Sequence, residues 1–201
     1  DRFGIKPLIY FYDGHKFYFS SEIKTFSEIK DIKKTLNNNG IKDYFYYGSI
    51  SQPNTIYNEF KFLPPGHYLQ CGINQKLQIF KYYDLEENVK NNEIIENKNE
   101  ANEILNQKFN EVAKHNLVAD VEVSSFLSGG LDSSLATYLV QKFSDIPISS
   151  YCVLFDEYKN ILNESLLSSK IAKFLGTNHK ILNVNSDMVK IVFDEYINCI
   201  D

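Results

Sequence analysis

Seven residues constrain this chain more than any others. They are Ser128-Gly129-Gly130-Leu131-Asp132-Ser133-Ser134, set between a strand-forming run at residues 121–127 and a helix-forming run at residues 134–143. The first run reads as a strand and the second as a helix. Further on, residues 148–155 read as a strand, 164–175 as a helix and 179–184 as a strand. Asn163 suits an N-cap and Gly176 the left-handed position that ends a helix. Strands alternating with helices build βαβ units and so a parallel sheet. Ligands of such sheets bind outside the carboxyl ends of the strands, which puts the predicted site in the loop after Leu127.

Each residue type in that loop has a use toward a phosphate. Gly129 and Gly130 permit positive φ and let the backbone approach an anion with no Cβ in the way, while the N–H groups of the following turn point at it. The hydroxyls of Ser128, Ser133 and Ser134 are donors for phosphate oxygens, and the helix dipole favours negative charge at this end. Asp132 would repel a polyphosphate unless a divalent cation lies between them, and Mg²⁺ commonly bridges carboxylates to phosphates. The Gly-Lys-Ser/Thr ending of a Walker A loop is missing, so transfer of a terminal phosphoryl group is not implied. The plainer reading is a Gly-Ser turn that caps a helix, with Asp132 as a first-turn carboxylate. The strand–loop–helix context favours the phosphate cradle.

Residues 1–84 have a different texture. They are rich in Tyr and Phe, with short alternating runs such as His15-Lys16-Phe17-Tyr18-Phe19 and His67-Tyr68-Leu69-Gln70, broken by Asp13-Gly14, Gly48, Pro64-Pro65-Gly66 and Gly72. These read as strands joined by turns, with short helices expected at residues 21–26 and 40–47, an α+β arrangement. Residues 85–100 turn to Glu, Asn and Lys, as a solvated linker does. Beyond it Ala101, Ile104, Leu105, Phe109 and Val112 recur at helical spacing to about His115.

Composition narrows the function classes. Hydrophobic residues at 43% and charged residues at 23% describe a globular chain. Lys plus Arg number 21 against 26 Asp plus Glu, a net charge of −5, so no basic field invites nucleic acid or anionic lipid, and neither partner is expected. No apolar run approaches the ~20 residues of a membrane span. Cys71, Cys152 and Cys199 stand far apart without a CxxC, which fits a reducing, cytoplasmic setting. The first residue is Asp1 and the single methionine is Met188, so a processed protein or an excerpt of a longer one is expected.

Residues 128–134 resemble the pyrophosphate-binding loop of the ATP pyrophosphatase family. The flanking text is more selective. Asp1-Arg2-Phe3-Gly4-Ile5-Lys6-Pro7-Leu8, Ser21-Glu22-Ile23-Lys24 and Leu63-Pro64-Pro65-Gly66-His67 resemble the late part of the class II glutamine amidotransferase domain of glutamine-hydrolysing asparagine synthetases. Ser150-Tyr151-Cys152-Val153, Asn163-Glu164-Ser165 and Leu175-Gly176-Thr177-Asn178-His179 resemble the start of their synthetase domain, in the same order. Ile9, where the family usually has Tyr, is a small departure.

The resemblance implies an α+β glutaminase-type portion with the N-terminal nucleophile fold over residues 1–84, a linker over 85–100, and over 101–201 an α/β parallel-sheet ATP pyrophosphatase domain like the adenine nucleotide alpha hydrolases. Both domains are expected to be incomplete. It implies glutamine hydrolysis, internal passage of ammonia, adenylation of aspartate by ATP with release of pyrophosphate, and amidation to asparagine. Ser128, Gly129, Gly130, Asp132, Ser133 and Ser134 would hold the pyrophosphate end of ATP, Asp132 the Mg²⁺, and the backbone of Leu127 and Val153 the adenine or ribose. Glutamine and aspartate are the implied substrates, and a homodimer is an expectation for the full-length enzyme. An amidotransferase for another carboxylate, or a catalytically inactive fragment, are the alternatives.

The family's glutaminase nucleophile is an N-terminal cysteine, and Asp1 cannot serve. Its glutamine-binding residues would lie upstream, and its second synthetase motif, a Ser-Gly-Glu-Gly-like loop, would follow Asp201. No complete catalytic set is therefore expected within the chain, and weak or no ATP turnover from these 201 residues alone. Cys71-Gly72-Ile73 copies the family's mature start but lies mid-chain and reads as a turn. His15, His67, His115 and His179 show no metal-binding spacing and read as surface or packing residues, and Arg2 and Lys6 as solvated or structurally paired rather than as contacts to a domain interface or a partner carboxylate.

Overall fold

The computed structural model describes residues 1–72, 76–155 and 164–199. Ile73 and the expected N-cap Asn163 lie outside the described residues. The chain divides into two compact units, one from Asp1 to Glu93 and one beginning at Ile94.

In the first unit, β1 (Ile9–Tyr12) pairs antiparallel with β2 (Phe17–Ser20) on one side and with β3 (Lys61–Phe62) on the other. The β1–β2 turn is closed by Asp13, whose carboxylate accepts from the N–H groups of His15 (2.9 Å) and Lys16 (2.7 Å). Ile9, Phe26, Ile32 and Phe60 form the buried core, with the Phe26 and Phe60 rings 4.5 Å apart. The helix expected at residues 21–26 is a short 3-10 helix at Lys24–Glu28, placed so that Phe26 reaches this core. The helix expected at residues 40–47 is α1 (Asn38–Tyr47), which starts earlier because the Asn37 side chain accepts from the N–H groups of Asn39 and Gly40. Gly40 is fixed by packing, since a Cβ there would stand 2.7 Å from the Thr55 carbonyl oxygen.

A separate hairpin joins β4 (His67–Gln70) to β5 (Gln78–Lys81). The Arg2 guanidinium lies 5.8 Å from the Tyr83 ring centre, a structural pairing. After β5 comes α2 (Leu85–Asn91), capped by Asp84. Lys81 donates to that carboxylate at 2.6 Å and the Glu87 N–H at 3.0 Å, which together hold the Asp84 pKa at about 2. Residues 85–100 are exposed throughout, and much of the stretch is helical.

The second unit opens with α3 (Lys98–Asn116), followed by β6 (Ser124–Phe126), α4 (Leu131–Phe143), β7 (Ser149–Phe155), α5 (Glu164–Leu175), β8 (Asn178–Val184) and α6 (Ser186–Cys199). Strands β6, β7 and β8 form a parallel sheet in that order, with β7 central. Along β7 the residues Ser150, Cys152 and Leu154 are buried and alternate with half-buried ones. The strand expected over residues 121–127 is corrected to three residues. The ladder begins at Ser124 opposite Ser149, and Pro147, with no N–H to give, precedes β7. Leu127 is fully buried and continues the pairing by one bond, its N–H donating to the Tyr151 carbonyl at 2.7 Å. The helix expected from residue 134 begins at Leu131 instead, and α6 has no counterpart in the sequence reading. Among the described residues no helix is long and apolar enough to cross a membrane.

Candidate functional site

The loop between β6 and α4 sits at the carboxyl end of the parallel sheet. Ser128 leaves β6 and Gly129 turns with φ +89°, a conformation that side chains disfavour. A Cβ on Gly129 would also stand 3.0 Å from Leu167 Cγ and 3.1 Å from the Ser168 nitrogen, so the loop lies directly against the start of α5. Gly130 is the N-cap of α4 in ordinary extended geometry, φ −66° and ψ 162°.

Four other α-helices have a side chain serving their N-terminal end. Asn37, Asp84 and Asn97 accept from the first-turn N–H groups of α1, α2 and α3, and the Asn185 side chain accepts from Met188 N–H in α6. At α4 the N-cap is a glycine and no side chain caps the helix. Its first-turn donors have no intrahelical acceptor, and with the helix dipole they make the end of α4 a receptor for an anion.

The serines shape this end from within. Ser128 Oγ accepts from the Gly130 N–H at 3.3 Å and lies 3.0 Å from Ser133 Oγ. Ser133 and Ser134 both donate to the Gly130 carbonyl, at 3.1 and 2.7 Å. The hydroxyls expected as phosphate donors thus hold the loop closed on itself, and the backbone N–H groups of α4's first turn remain as the direct donors. Leu131, Asp132, Ser133 and Ser134 are helical rather than loop residues.

Asp132 is exposed in the first turn, bordering a groove between α3 and α4 with Phe109, Val112 and Leu135. Among the described residues no three His, Cys, Asp or Glu side chains gather at metal-binding distance. A cation at Asp132 would therefore draw most of its oxygens from a phosphate ligand and water, which is the ordinary Mg²⁺ arrangement. The register pairs Phe126 with Tyr151, so Val153 stands two residues further along β7, level with the start of the loop. Leu127 and Val153 thus flank the same end of the sheet as residues 128–134.

One layer escaped the sequence reading. Beneath the loop, Thr137 Oγ1 donates to the Ser133 carbonyl (2.7 Å) and meets Ser125 Oγ (2.8 Å), while His179 lies between Ser150 (2.9 Å) and Ser168 (3.3 Å). No local sequence signal marks this layer, because only the parallel register brings its members together.

A parallel sheet with an open, glycine-lined helix end at its carboxyl edge has the geometry of an anion receptor, and an α+β unit precedes it in the chain. The chain belongs to the family described as glutamine amidotransferase domain, whose model matches residues 1–114, and the asparagine synthase model matches residues 105–201. It is 36% identical over 149 residues to a Methanocaldococcus jannaschii protein named as an asparagine synthetase (glutamine-hydrolyzing), covering 73% of this chain and 28% of that protein. Asparagine synthetase (glutamine-hydrolyzing) 3 of Bacillus subtilis is 29% identical over 203 residues, covering 94% of this chain and 32% of its own length. Amidase chry2 of Gibberella zeae is 27% identical over 214 residues, covering 97% and 30%. The chain thus spans about a third or less of the length of these relatives.

Proposed function

We propose that the protein carrying this chain is a glutamine-dependent asparagine synthetase, and that residues 128–134 hold the pyrophosphate end of ATP. The observation that carries this reading is the uncapped helix end behind Gly129 and Gly130, in a chain that matches a glutaminase family and then a synthetase family in that order. Residues 1–84 would belong to a glutaminase of the N-terminal nucleophile fold. Residues 85–100 would be the link, and residues 101–201 the start of an ATP pyrophosphatase domain of the adenine nucleotide alpha hydrolase type.

In the synthetase step an oxygen of the aspartate side-chain carboxylate attacks the α-phosphorus of ATP. The bond to the β-phosphate breaks, and pyrophosphate leaves with the electron pair. Ammonia from glutamine then attacks the acyl carbon, AMP leaves and a proton is lost, giving asparagine. The α4 N–H groups face the charge that grows on the leaving pyrophosphate and need no reorganisation to do so. Asp132 would hold Mg²⁺, which when bound supplies further neutralisation of the phosphate charge. Leu127 and Val153 would present backbone groups to the adenine or ribose. A cytoplasmic, homodimeric enzyme fits the reading.

The test is to supply the full-length protein with ATP, Mg²⁺, aspartate and glutamine. Asparagine, AMP, pyrophosphate and glutamate in equal amounts support the assignment. Absence of AMP and asparagine sinks it, and AMP release with another carboxylic acid in place of aspartate moves it to a different acceptor.

A further inference from the structure

The sheet beneath the loop carries a polar row where an apolar layer would be expected. Ser125, Ser150 and His179 are register partners across β6, β7 and β8; the outer two meet the helices above them, and Ser150 links to His179. Ser125 meets Thr137 of α4, and His179 meets Ser168 of α5. Ser150, Thr137 and Ser168 are completely buried, and among the described residues no buried side-chain polar atom lacks a partner. A satisfied network of this kind fixes one arrangement of the elements it joins, which well-packed aliphatic side chains do less strictly.

Counting hydrogens gives the network a direction. Ser168 Oγ donates to the Ser165 carbonyl at 3.1 Å, so its lone pair faces His179 Nε2, which carries the proton. His179 Nδ1 then accepts from the Ser150 hydroxyl, and Ser150 Oγ accepts from Thr177 at 2.8 Å. Each hydroxyl spends its single hydrogen, and the ring is neutral. Burial supports this by pulling the imidazole below its ordinary value of 6.5, against a smaller opposing pull from the Ser150 backbone.

Ser168 is also the residue whose backbone nitrogen limits Gly129, at 3.1 Å from a Cβ built there. We propose that His179 is a positioning residue for the pyrophosphate loop: through Ser168 it fixes the wall of α5 on which Gly129 rests, and so the depth at which the loop receives pyrophosphate. Ser125 and Thr137 seat the other side of the loop through the Ser133 carbonyl. The inference rests on the reading of residues 128–134 as a pyrophosphate site.

The experiment compares the full-length protein with His179→Leu, Ser168→Ala and the double variant. Magnesium pyrophosphate is titrated calorimetrically, and the KM values for ATP and aspartate are measured with ammonia as nitrogen source. Loss of one positioning hydrogen bond should weaken pyrophosphate binding and raise the KM for ATP by about fivefold to tenfold. The KM for aspartate and glutamine hydrolysis should stay within about twofold, and the double variant should be no worse than His179→Leu, since both act through one contact. If the unaltered protein binds pyrophosphate and both single variants bind it equally well, the positioning role is overturned and the site assignment stands. Effects that multiply in the double variant also overturn it. If the unaltered protein does not bind pyrophosphate, the site assignment itself falls and takes this inference with it. Should His179→Leu lose its fold, Ser168→Ala, which removes one oxygen, decides between these outcomes.

Discussion

The two adjacent loop glycines should answer differently to the same substitution. In Gly129→Ala the new methyl group meets two costs. At φ +89° an alanine is strained by about 1–2 kcal/mol. Its Cβ would also crowd Leu167 Cγ at 3.0 Å and the Ser168 backbone nitrogen at 3.1 Å, and overpacking of this kind costs about 1–3 kcal/mol. Together they amount to roughly 2–5 kcal/mol, to be relieved by shifting the loop or the start of α5. Gly130→Ala meets neither, because φ −66° is ordinary and the nearest atom, Ser128 Oγ, is 3.5 Å away. Its stability should change by no more than about 1 kcal/mol, with a slight gain because alanine restricts the unfolded chain. The new methyl would nonetheless stand at the mouth of the uncapped helix, so pyrophosphate binding should weaken in both variants. Native-state hydrogen exchange of the α4 amides in the full-length protein reads the local opening free energy. Loss of protection in Gly129→Ala alone is the expected result. Equal protection in the two variants, or a larger loss in Gly130→Ala, would refute the backbone argument.

Three further outcomes follow from the same geometry. Asp132→Asn should lower ATP- and aspartate-dependent pyrophosphate release at least a hundredfold, on the order of 2.7 kcal/mol in the barrier, while glutaminase activity is spared; equal loss of both would make Asp132 a structural residue. Asn37→Ala removes a cap that accepts from Asn39 at 3.1 Å and Gly40 at 3.3 Å and donates to the Thr55 carbonyl at 3.1 Å, so it should cost about 1–2 kcal/mol in urea unfolding of the first unit. The stability of the second unit should depend on pH through His179. Its folded value lies below 6.5, so as the pH falls past 6.5 the unfolded chain binds the proton first. Its contribution is full above that point, declines until the folded value is passed, and then levels. His179→Leu should remove this slope from the urea midpoint, and a midpoint that rises on acidification would contradict the assignment.

What could be read from the sequence was what local chemistry dictates. The helix α5 ends where Gly176 supplies φ +74°, and the glycine-serine loop lies between a strand and a helix as its flanks imply. Less legible was the start of α4. Ser133 and Ser134 are indifferent helix formers that suggest a loop, yet in the fold their hydroxyls bond back to the Gly130 carbonyl and complete the first turn. The length of β6 was hidden for another reason, since it depends on where its partner strand starts. The polar row was out of reach altogether. Ser125, Ser150 and His179 are 25 and 29 residues apart in sequence, and a serine on a strand ordinarily marks a solvent face. Only the parallel register makes them neighbours. The discounting of His179 as a packing residue therefore described its burial but missed its partners.

The central claim is that this chain grips the pyrophosphate end of ATP and leaves the α-phosphorus to a carboxylate. Phosphorus NMR of the full-length protein turning over ATP with Mg²⁺, aspartate and ammonia tests it most directly. AMP and pyrophosphate should appear together in equal amounts, with no ADP. ADP and inorganic phosphate as the first products would contradict it.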